Sequence, residues 1–334
     1  MPIKLPPAST DDAADLTVLP LARSEVDSLI QIVPASSFSI EQLTAAYNQT
    51  RVDYLVPMPM NAARLAEYIH VYDVDMHRSL VAVDDGQILG LAMLGDRPGR
   101  AWITRLGVLP VKRRRGVGEA LMRALLAAAG QGGIETTLLE VIKNNVPAHT
   151  LFLKLGFHEI GELLILRRPP APPAVVPPGR VRWLDRSEAL ALLNTRIGPP
   201  AWTNETESFA NAHGVRGLCL TLPDGSRGWL VFQWQRFMLQ RLTLMAEQGD
   251  PHAVGRALLA YVYRQYPDLD THTENIPVDD PHAPALFEAG FVESFRRIEM
   301  RRCANILSTA KCHPFDPSAT LGAGFAQGKA EQRA

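Results

Sequence analysis

The chain has 334 residues, 46% hydrophobic and 21% charged, with a formal net charge of −1. This length exceeds the usual size of one hydrophobic core and predicts two folded domains of about 150 residues each. The near-neutral charge gives no bulk field that would attract nucleic acid, so a nucleic-acid-binding protein is not expected.

The first half is predicted to begin with helices and to continue with strands of alternating polarity. Period-two patterns on both sides of Asp85-Gly86 predict a β-hairpin, because this dipeptide favours a tight turn. Apolar residues at helical spacing after Val117 predict an amphipathic helix. The predicted helices are 23–33, 40–48, 61–70, 117–129 and 148–155, and the strands that follow the hairpin are 101–109 and 136–142.

The second half repeats the later part of this order after a segment with six prolines, 167–180. Strands flank the turn at Asp224-Gly225, a helix begins at Pro251, and a strand at 269–273 and a short helix before Gly290 follow. Pro147 and Pro281 each lie ten residues before the phenylalanine of a Gly-Phe pair, which indicates an internal duplication. The predicted units are a first domain 1–168, a linker 169–180, a second domain 181–304 and a flexible tail 305–334.

The strongest chemical motif is R-x-x-G-x-G at residues 113–118, directly after a strand and directly before a helix. Such a turn presents backbone amides at the positive end of a helix dipole, which favours a pyrophosphate. Gly116 and Gly118 would let the backbone approach the ligand without a Cβ in the way. The alternative is an ordinary helix start with a solvated basic face.

Two segments, LGVLPVKRRRGVGEALMRALL and LEVIKNNVPAHTLFLKLGF, resemble the GNAT superfamily of acyl-CoA-dependent N-acyltransferases in sequence, spacing and order. The resemblance extends over most of residues 40–168. It implies an α/β (α+β) fold of two tandem GNAT-like domains, each with a mixed, mostly antiparallel sheet flanked by helices. It also implies acetyl-CoA as the acyl donor.

The resemblance assigns roles to individual residues. The strand edge at Leu106, Gly107 and Val108 would hydrogen-bond pantetheine and polarise the thioester carbonyl. Asn145 would contact the CoA arm, with helix capping as the alternative. The residues that would hold the pyrophosphate form one continuous loop: Arg113, Arg114, Arg115, Gly116, Val117, Gly118 and Glu119.

One position departs from the family pattern. Where the family often has a tyrosine seven residues after the asparagine, this chain has Phe152 beside the CoA arm. A phenyl ring cannot protonate the leaving thiolate, so another group or water would do so. Candidate bases are Glu140 and His149, and Tyr54 is a candidate substrate contact; for each of the three, a structural role is the alternative.

The second copy is expected to have lost the CoA site. Its equivalent loop, 247–255, lacks R-x-x-G-x-G and contains Asp250 and Pro251. An aspartate would repel a phosphate and a proline removes one amide donor, although both make a good helix start. The second domain is then expected to form a wall of the acceptor pocket or an intramolecular interface.

The function that these features predict is N-acetylation of a primary amine by direct attack on acetyl-CoA in a ternary complex. A CoA-binding pseudoenzyme or regulatory module without turnover is the alternative, motivated by Phe152. A small-molecule amine is the expected acceptor, while antibiotic, polyamine, amino acid and protein amino group all stay open. The oligomeric state stays open too, with a homodimer as one option.

The predicted location is the cytoplasm. The N-terminal segment lacks the apolar core of a signal peptide, and no stretch reaches the roughly 18 apolar residues of a membrane span. Three cysteines in a chain large enough to fold without disulfides suit a reducing compartment. Cys303, Cys312 and His313 match no zinc spacing, so no metal site is predicted.

Overall fold

The computed structural model of the chain describes residues 30–171, 175–196 and 198–304. Within these residues, strands from both halves form one mixed sheet. The strands are β1 (Gln31–Pro34), β2 (Val74–Asp84), β3 (Gln87–Arg97), β4 (Arg100–Val108), β5 (Thr136–Ile142), β6 (His158–Arg168), β7 (Arg180–Leu184), β8 (Val215–Thr221), β9 (Arg227–Gln235), β10 (Met238–Gln248), β11 (Asp270–Pro277) and β12 (Val292–Cys303).

Helices cover the faces of this sheet. They are α1 (Ile40–Gln49), α2 (Ala62–Val71), α3 (Val117–Gln131), α4 (Val146–Lys154), α5 (Arg186–Leu193), α6 (Thr206–Asn211), α7 (Pro251–Gln265) and α8 (Ala283–Glu288).

Local signals account for where several elements begin and end. Ser39 and Gln42 form a reciprocal capping box at the start of α1, and the Asn61 side chain caps α2. Asp85 and Gly86 both have positive φ, 43° and 70°, as expected for the tight turn that joins β2 to β3.

The two halves exchange their last strands. The sheet order is β1-β2-β3-β4-β5-β12-β6-β11-β10-β9-β8-β7, so β12 lies between β5 and β6 of the first half. In return β6 lies between β12 and β11 of the second half. Only two neighbouring pairs, β4 with β5 and β10 with β11, are parallel in the described sheet. Neither half therefore has a complete sheet of its own.

The hydrophobic cores follow the same exchange. The core beneath α3 and α4 is built from first-half residues such as Leu121 and Leu125, but it also contains Met300 of β12. The core beneath α7 contains Leu164 and Leu166 of β6. Each core therefore needs a strand from the other half to exclude water.

The predicted class, a mixed and mostly antiparallel sheet flanked by helices, is confirmed. The sheets of the two halves are joined into one, which the sequence did not predict. The helix predicted at 23–33 is wrong at its end, because residues 31–34 pair with β2 as a strand. Residues 23–29 and the tail from 305 lie outside the described residues.

The described parts of the predicted linker, 169–171 and 175–179, have no regular secondary structure, and β7 begins at Arg180. Cys219 is a free thiol, whereas Cys303 is disulfide-bonded, against the expectation of a chain without disulfides. No helix among the described residues is long and apolar enough to cross a membrane.

Candidate functional site

The site begins where two parallel strands separate. β4 and β5 are paired only from Arg100–Ile103 and Thr136–Leu139. Beyond them Arg105 adopts a positive φ of 57°, and the register of β4 against β3 shifts between Thr104 and Gly107. This bulge turns the end of β4 away from β5 and opens a cleft between the strands.

The end of β4 lines this cleft with main-chain groups. The carbonyl of Leu106 accepts from the Arg51 guanidinium at 3.1 Å, and that of Val108 accepts from Arg113 Nε at 3.1 Å. Because the N–H and C=O of one strand residue point the same way, the amides of Leu106 and Val108 also face the cleft. Gly107 has another role: a Cβ at this position would collide with the Thr50 hydroxyl.

The loop before α3 has the properties of an anion site. Gly116 is the N-cap of α3 with φ 84°, and no side chain caps the helix. A Cβ at Gly116 would meet no atom within 4 Å, so the space in front of the first amides is open. Arg114 and Arg115 are exposed and have no ion-pair partner among the described residues. The dipole, the free amides and two unpaired guanidiniums all favour a bound pyrophosphate.

Two charged residues of this loop are engaged elsewhere. Arg113 forms a bidentate ion pair with Asp53 at 2.7 and 2.8 Å and donates to the Thr50 carbonyl. It therefore ties the loop to the end of α1 through an exposed ion pair. Glu119 bridges to Arg123 and Lys154, and these hydrogen bonds lower the pKa of its carboxyl. For both residues the structure favours a supporting role over contact with phosphate.

A cavity of about 510 Å³ continues from the cleft toward the second half. Asn145, Tyr54 and Phe152 line its cofactor side. Asn145 occupies the N-cap position of α4, yet its side chain caps nothing and instead donates to the Tyr54 hydroxyl at 3.4 Å. The capping alternative for Asn145 is thus not what the structure has. Phe152 is only 5% exposed and offers the cavity an apolar ring.

The two candidate bases fall in different places. Glu140 lines the cavity, where it accepts from Trp102 Nε1 at 2.8 Å and from Asn275 Nδ2 at 3.3 Å. Burial raises the pKa of Glu140, and Arg297 opposes this rise. His149 is not part of the lining, and its ring contacts Glu159 at 2.7 Å. Of the two candidate bases, Glu140 thus lines the cavity, whereas His149 lies outside it in a hydrogen bond with Glu159.

The second half supplies the far wall of the cavity, and sequence reasoning missed these residues. Arg241 of β10, His272 and Glu274 of β11, and Arg297 of β12 all line it. Glu274 and Arg297 form an ion pair at 2.8 Å. Although burial opposes ionisation, Arg297, Arg105 and His272 lower the pKa of Glu274 to about 2. The sequence held a signal for Arg241. The shift that aligns Pro147 with Pro281 in the duplication also places Arg105 close to Arg241.

The equivalent cleft of the second half is closed. The Asp250 side chain accepts from the amide of Ala253, and Pro251 occupies the first turn of α7. The His282 ring lies at the position that corresponds to Ala148 and accepts from the amide of Ala246 on β10 at 3.0 Å. Amides that would receive a ligand in an open cleft are thus satisfied by side chains of the protein.

The described residues contain no group of three or more His, Cys, Asp or Glu side chains that could hold a metal ion.

Comparison with known proteins agrees with this geometry. A sequence profile described as the Acetyltransferase (GNAT) family matches residues 42–157. A mycothiol acetyltransferase of Mycolicibacterium smegmatis is 29% identical over 203 residues, which cover 55% of this chain and 66% of that protein. The match thus spans slightly under two thirds of the relative's length.

Two solved structures resemble the fold of this chain over most of its length. A GCN5-related N-acetyltransferase of Sphaerobacter thermophilus superposes with a TM-score of 0.65 at 14% identity, over 82% of this chain and 95% of that one. A tandem GNAT protein from the clavulanic acid biosynthesis pathway gives a TM-score of 0.59 at 16% identity, over 83% and 99% of the two chains. At these identities the likeness concerns the fold.

Proposed function

Because the chain belongs to the GNAT superfamily of acyltransferases, we propose that it is an acetyl-CoA-dependent N-acetyltransferase. It transfers an acetyl group to the primary amine of a small-molecule acceptor by direct attack in a ternary complex. The first half binds acetyl-CoA, and the second half completes the acceptor pocket.

One observation carries this proposal: a single cavity joins the cofactor cleft to the second half. Its lining includes Leu106 and Asn145 at the cofactor end and Arg241 and Glu274 at the other. A volume of about 510 Å³ is in the range of small-molecule sites. Donor and acceptor can therefore occupy one continuous cavity at the same time, as direct transfer requires.

The residues of the first half fit acetyl-CoA. The uncapped amides at the start of α3, with Arg114 and Arg115, suit the pyrophosphate. The amides of Leu106 and Val108 suit the pantetheine and the thioester oxygen, whose negative charge grows during attack. Fixed amide dipoles aimed at a developing oxyanion are an effective form of electrostatic catalysis.

The chemistry needs one base. The acceptor arrives as an ammonium ion and loses a proton to Glu140, whose raised pKa makes it a stronger base than an ordinary glutamate. The amine nitrogen then forms a bond to the thioester carbonyl carbon, and the bond from that carbon to sulfur breaks. The new amide loses its second proton, and the leaving thiolate takes up a proton to give free CoA.

Tyr54 is our candidate for the acid that protonates the thiolate. Its hydroxyl lies 3.4 Å from Asn145 Nδ2, and both residues line the cavity together with Phe152. A phenolic O–H can donate the proton that Phe152 cannot.

A second candidate function is a CoA-binding module without turnover. Phe152 favours it, because the ring fills a position where a proton donor would be useful and is packed into the core against Phe157, with 6.1 Å between the ring centroids.

Calorimetry and initial-rate kinetics test the proposal. We expect one acetyl-CoA to bind per chain, and we expect intersecting lines when both acetyl-CoA and amine concentrations are varied. Two sites per chain would contradict the assignment of the site to the first half. Parallel lines, which indicate a covalent acetyl-enzyme, would contradict direct attack.

A further inference from the structure

The cavity that joins the two halves carries more positive than negative side chains. Five arginines and three glutamates line it, together with His272. One of these arginines, Arg64, and one of these glutamates, Glu67, lie on the exposed surface of α2 at the cavity mouth. The interior therefore keeps an excess of guanidinium groups.

The interior carboxylates neutralise only part of this excess. Glu274 is already paired with Arg297 at 2.8 Å. Glu140 is hydrogen-bonded by Trp102 and Asn275 and takes part in no ion pair among the described residues. Two guanidiniums on the acceptor side, those of Arg105 and Arg241, form no direct ion pair among the described residues, although the charge of Arg105 helps to lower the pKa of Glu274.

Among the described residues, the hydrogen-bond partners of Arg105 and Arg241 are all neutral. Arg105 donates to the Tyr47 hydroxyl at 3.1 Å and lies 4.1 Å from the centre of the Tyr68 ring. Arg241 donates to the Tyr72 hydroxyl at 2.8 Å and to the Gln233 amide oxygen. In the described residues neither arginine has an acidic partner within 4.0 Å. Each guanidinium has five N–H donors, so most of its donors are not used by the protein.

The backbone at both positions is unusual in the same way. Arg105 has φ 57° in β4 and Arg241 has φ 52° in β10, and each lies at a register shift of its strand. Positive φ is uncommon for residues other than glycine and often marks functional sites. The duplicated bulge thus brings one arginine from each half to the same cavity.

The phosphates of CoA do not account for these charges. The residues that suit the pyrophosphate, 114–119, are not part of the cavity lining. They follow β4, which ends at Val108, whereas Arg105 lies within that strand. The two half-buried guanidiniums can therefore bind another anion, and such charge-assisted hydrogen bonds are stronger in a cavity than in open water.

We infer that the acceptor is an amine that also carries an anionic group, a carboxylate or a phosphate monoester, and that Arg105 and Arg241 bind this group. This inference rests on the proposed acetyltransferase function. The anion fixes one end of the acceptor between the two halves and leaves the amino group to face the thioester. A polyamine or an aminoglycoside, which has no anion, does not fit such a lining.

Matched substrates provide the first test. With saturating acetyl-CoA, release of CoA thiol is measured for L-amino acids against their primary amides, and for phosphoethanolamine against ethanolamine. We expect kcat/KM to be about tenfold or more higher for the anionic member of at least one pair, and the pair identifies the anion. Equal or greater activity on the neutral members or on spermidine overturns the inference while leaving the function intact.

Variants provide the second test. Arg241→Gln and Arg105→Gln should each raise the KM of the anionic acceptor about tenfold, with a smaller effect on the neutral analogue and on the KM of acetyl-CoA. Arg241→Lys should restore part of the loss. Arg216→Gln is the matched control, since Arg216 also binds a tyrosine hydroxyl and lies over an aromatic ring but does not line the cavity.

The outcomes separate the two levels of the proposal. Equal KM values for Arg241→Gln, Arg216→Gln and the wild type overturn the role of Arg241. If a variant does not fold, as judged by its melting curve, the comparison of matched substrates on the wild type decides alone. Absence of turnover on every amine, despite acetyl-CoA binding, overturns the acetyltransferase function and this inference with it.

Discussion

Arg168 of β6 donates from Nε to the carbonyl oxygen of Ala289 at 2.7 Å and so closes the C-terminal turn of α8 in the other half of the chain. Arg302 of β12 does the same for α4, with 3.0 Å from its Nε to the carbonyl of Leu155. Arg168 and Arg302 occupy equivalent positions of the two halves, 134 residues apart, and so do Leu155 and Ala289. The exchanged strands thus carry reciprocal helix caps, and the halves should unfold together.

Arg168→Met tests this coupling. Loss of a charged donor to a helix C-terminus should reduce the free energy of unfolding by about 1–3 kcal/mol. Urea unfolding should still show a single transition, because each core contains a strand of the other half. Arg167→Met is the control, since Arg167 forms only an exposed ion pair with Asp270 and should cost less than about 1 kcal/mol. Two separate transitions would contradict the coupling.

Gly116→Asp tests the anion site. The carboxylate would repel the pyrophosphate and the side chain would block the backbone's approach, so acetyl-CoA affinity should fall more than about tenfold. Gly133→Asp controls for backbone strain, because Gly133 also has positive φ and open space around its Cβ position but lies at the other end of α3. An unchanged Kd of acetyl-CoA for folded Gly116→Asp would show that the motif is only the start of a helix.

Phe152 and Tyr54 can be tested as a pair. Tyr54→Phe should lower kcat by about tenfold or more, since general acid catalysis is typically worth about 10² to 10⁴ fold. Phe152→Tyr alone should leave kcat unchanged or raise it slightly, and in the Tyr54→Phe background it should restore part of the loss. Unchanged kcat in Tyr54→Phe would assign the proton to water or to another group.

The pH dependence of stability should reveal the buried carboxyl of Glu299, which lies directly across the strands from Glu140. Burial, with repulsion from Glu140, raises the pKa of Glu299 to about 7, against an ordinary value of 4.5. Its protonated form stabilises the fold below pH 4.5, and this contribution is lost as the pH rises through about 7. The melting temperature of Glu299→Gln, measured relative to that of the wild type, should therefore increase as the pH rises from 4.5 to 8.

Glu293→Gln is the control of opposite sign. Hydrogen bonds from Arg296 lower the pKa of Glu293, so its ionised form stabilises the fold at neutral pH. The Gln variant should be slightly less stable than the wild type at pH 8 and approach it in acid. A melting-temperature difference for Glu299→Gln that stays constant with pH would contradict the raised pKa.

The sequence predicted those features that short-range patterns specify. The hairpin at Asp85-Gly86, the cap at Asn61 and the uncapped glycine before α3 depend on neighbours within a few residues. The exchange of β6 and β12 depends on distant residues instead. Arg297 pairs with Ile142 across more than a hundred residues, and no local pattern selects that partner.

The sequence predicted that the second domain could form a wall of the acceptor pocket, but not which residues line that wall, for the same reason. Arg241 and Glu274 lie in strands whose alternation indicates a sheet but not which cleft the strand borders. His149 was predicted from its place beside the CoA motif, yet on α4 its side chain is directed to Glu159 and not to the cavity. Spacing along a helix fixes a face only when the neighbouring strands are known.

The central claim is that the first half is an acetyl-CoA-dependent enzyme whose acceptor pocket is completed by the second half. The most direct test measures free CoA thiol and the acetylated amine, by mass spectrometry, in the same reaction with the wild-type chain and a broad panel of amines. We expect equal amounts of both products with at least one amine, and loss of both in Gly116→Asp. Wild-type chain that binds acetyl-CoA yet acetylates no amine in the panel, with Phe152→Tyr equally inert, would contradict it and leave a CoA-binding module.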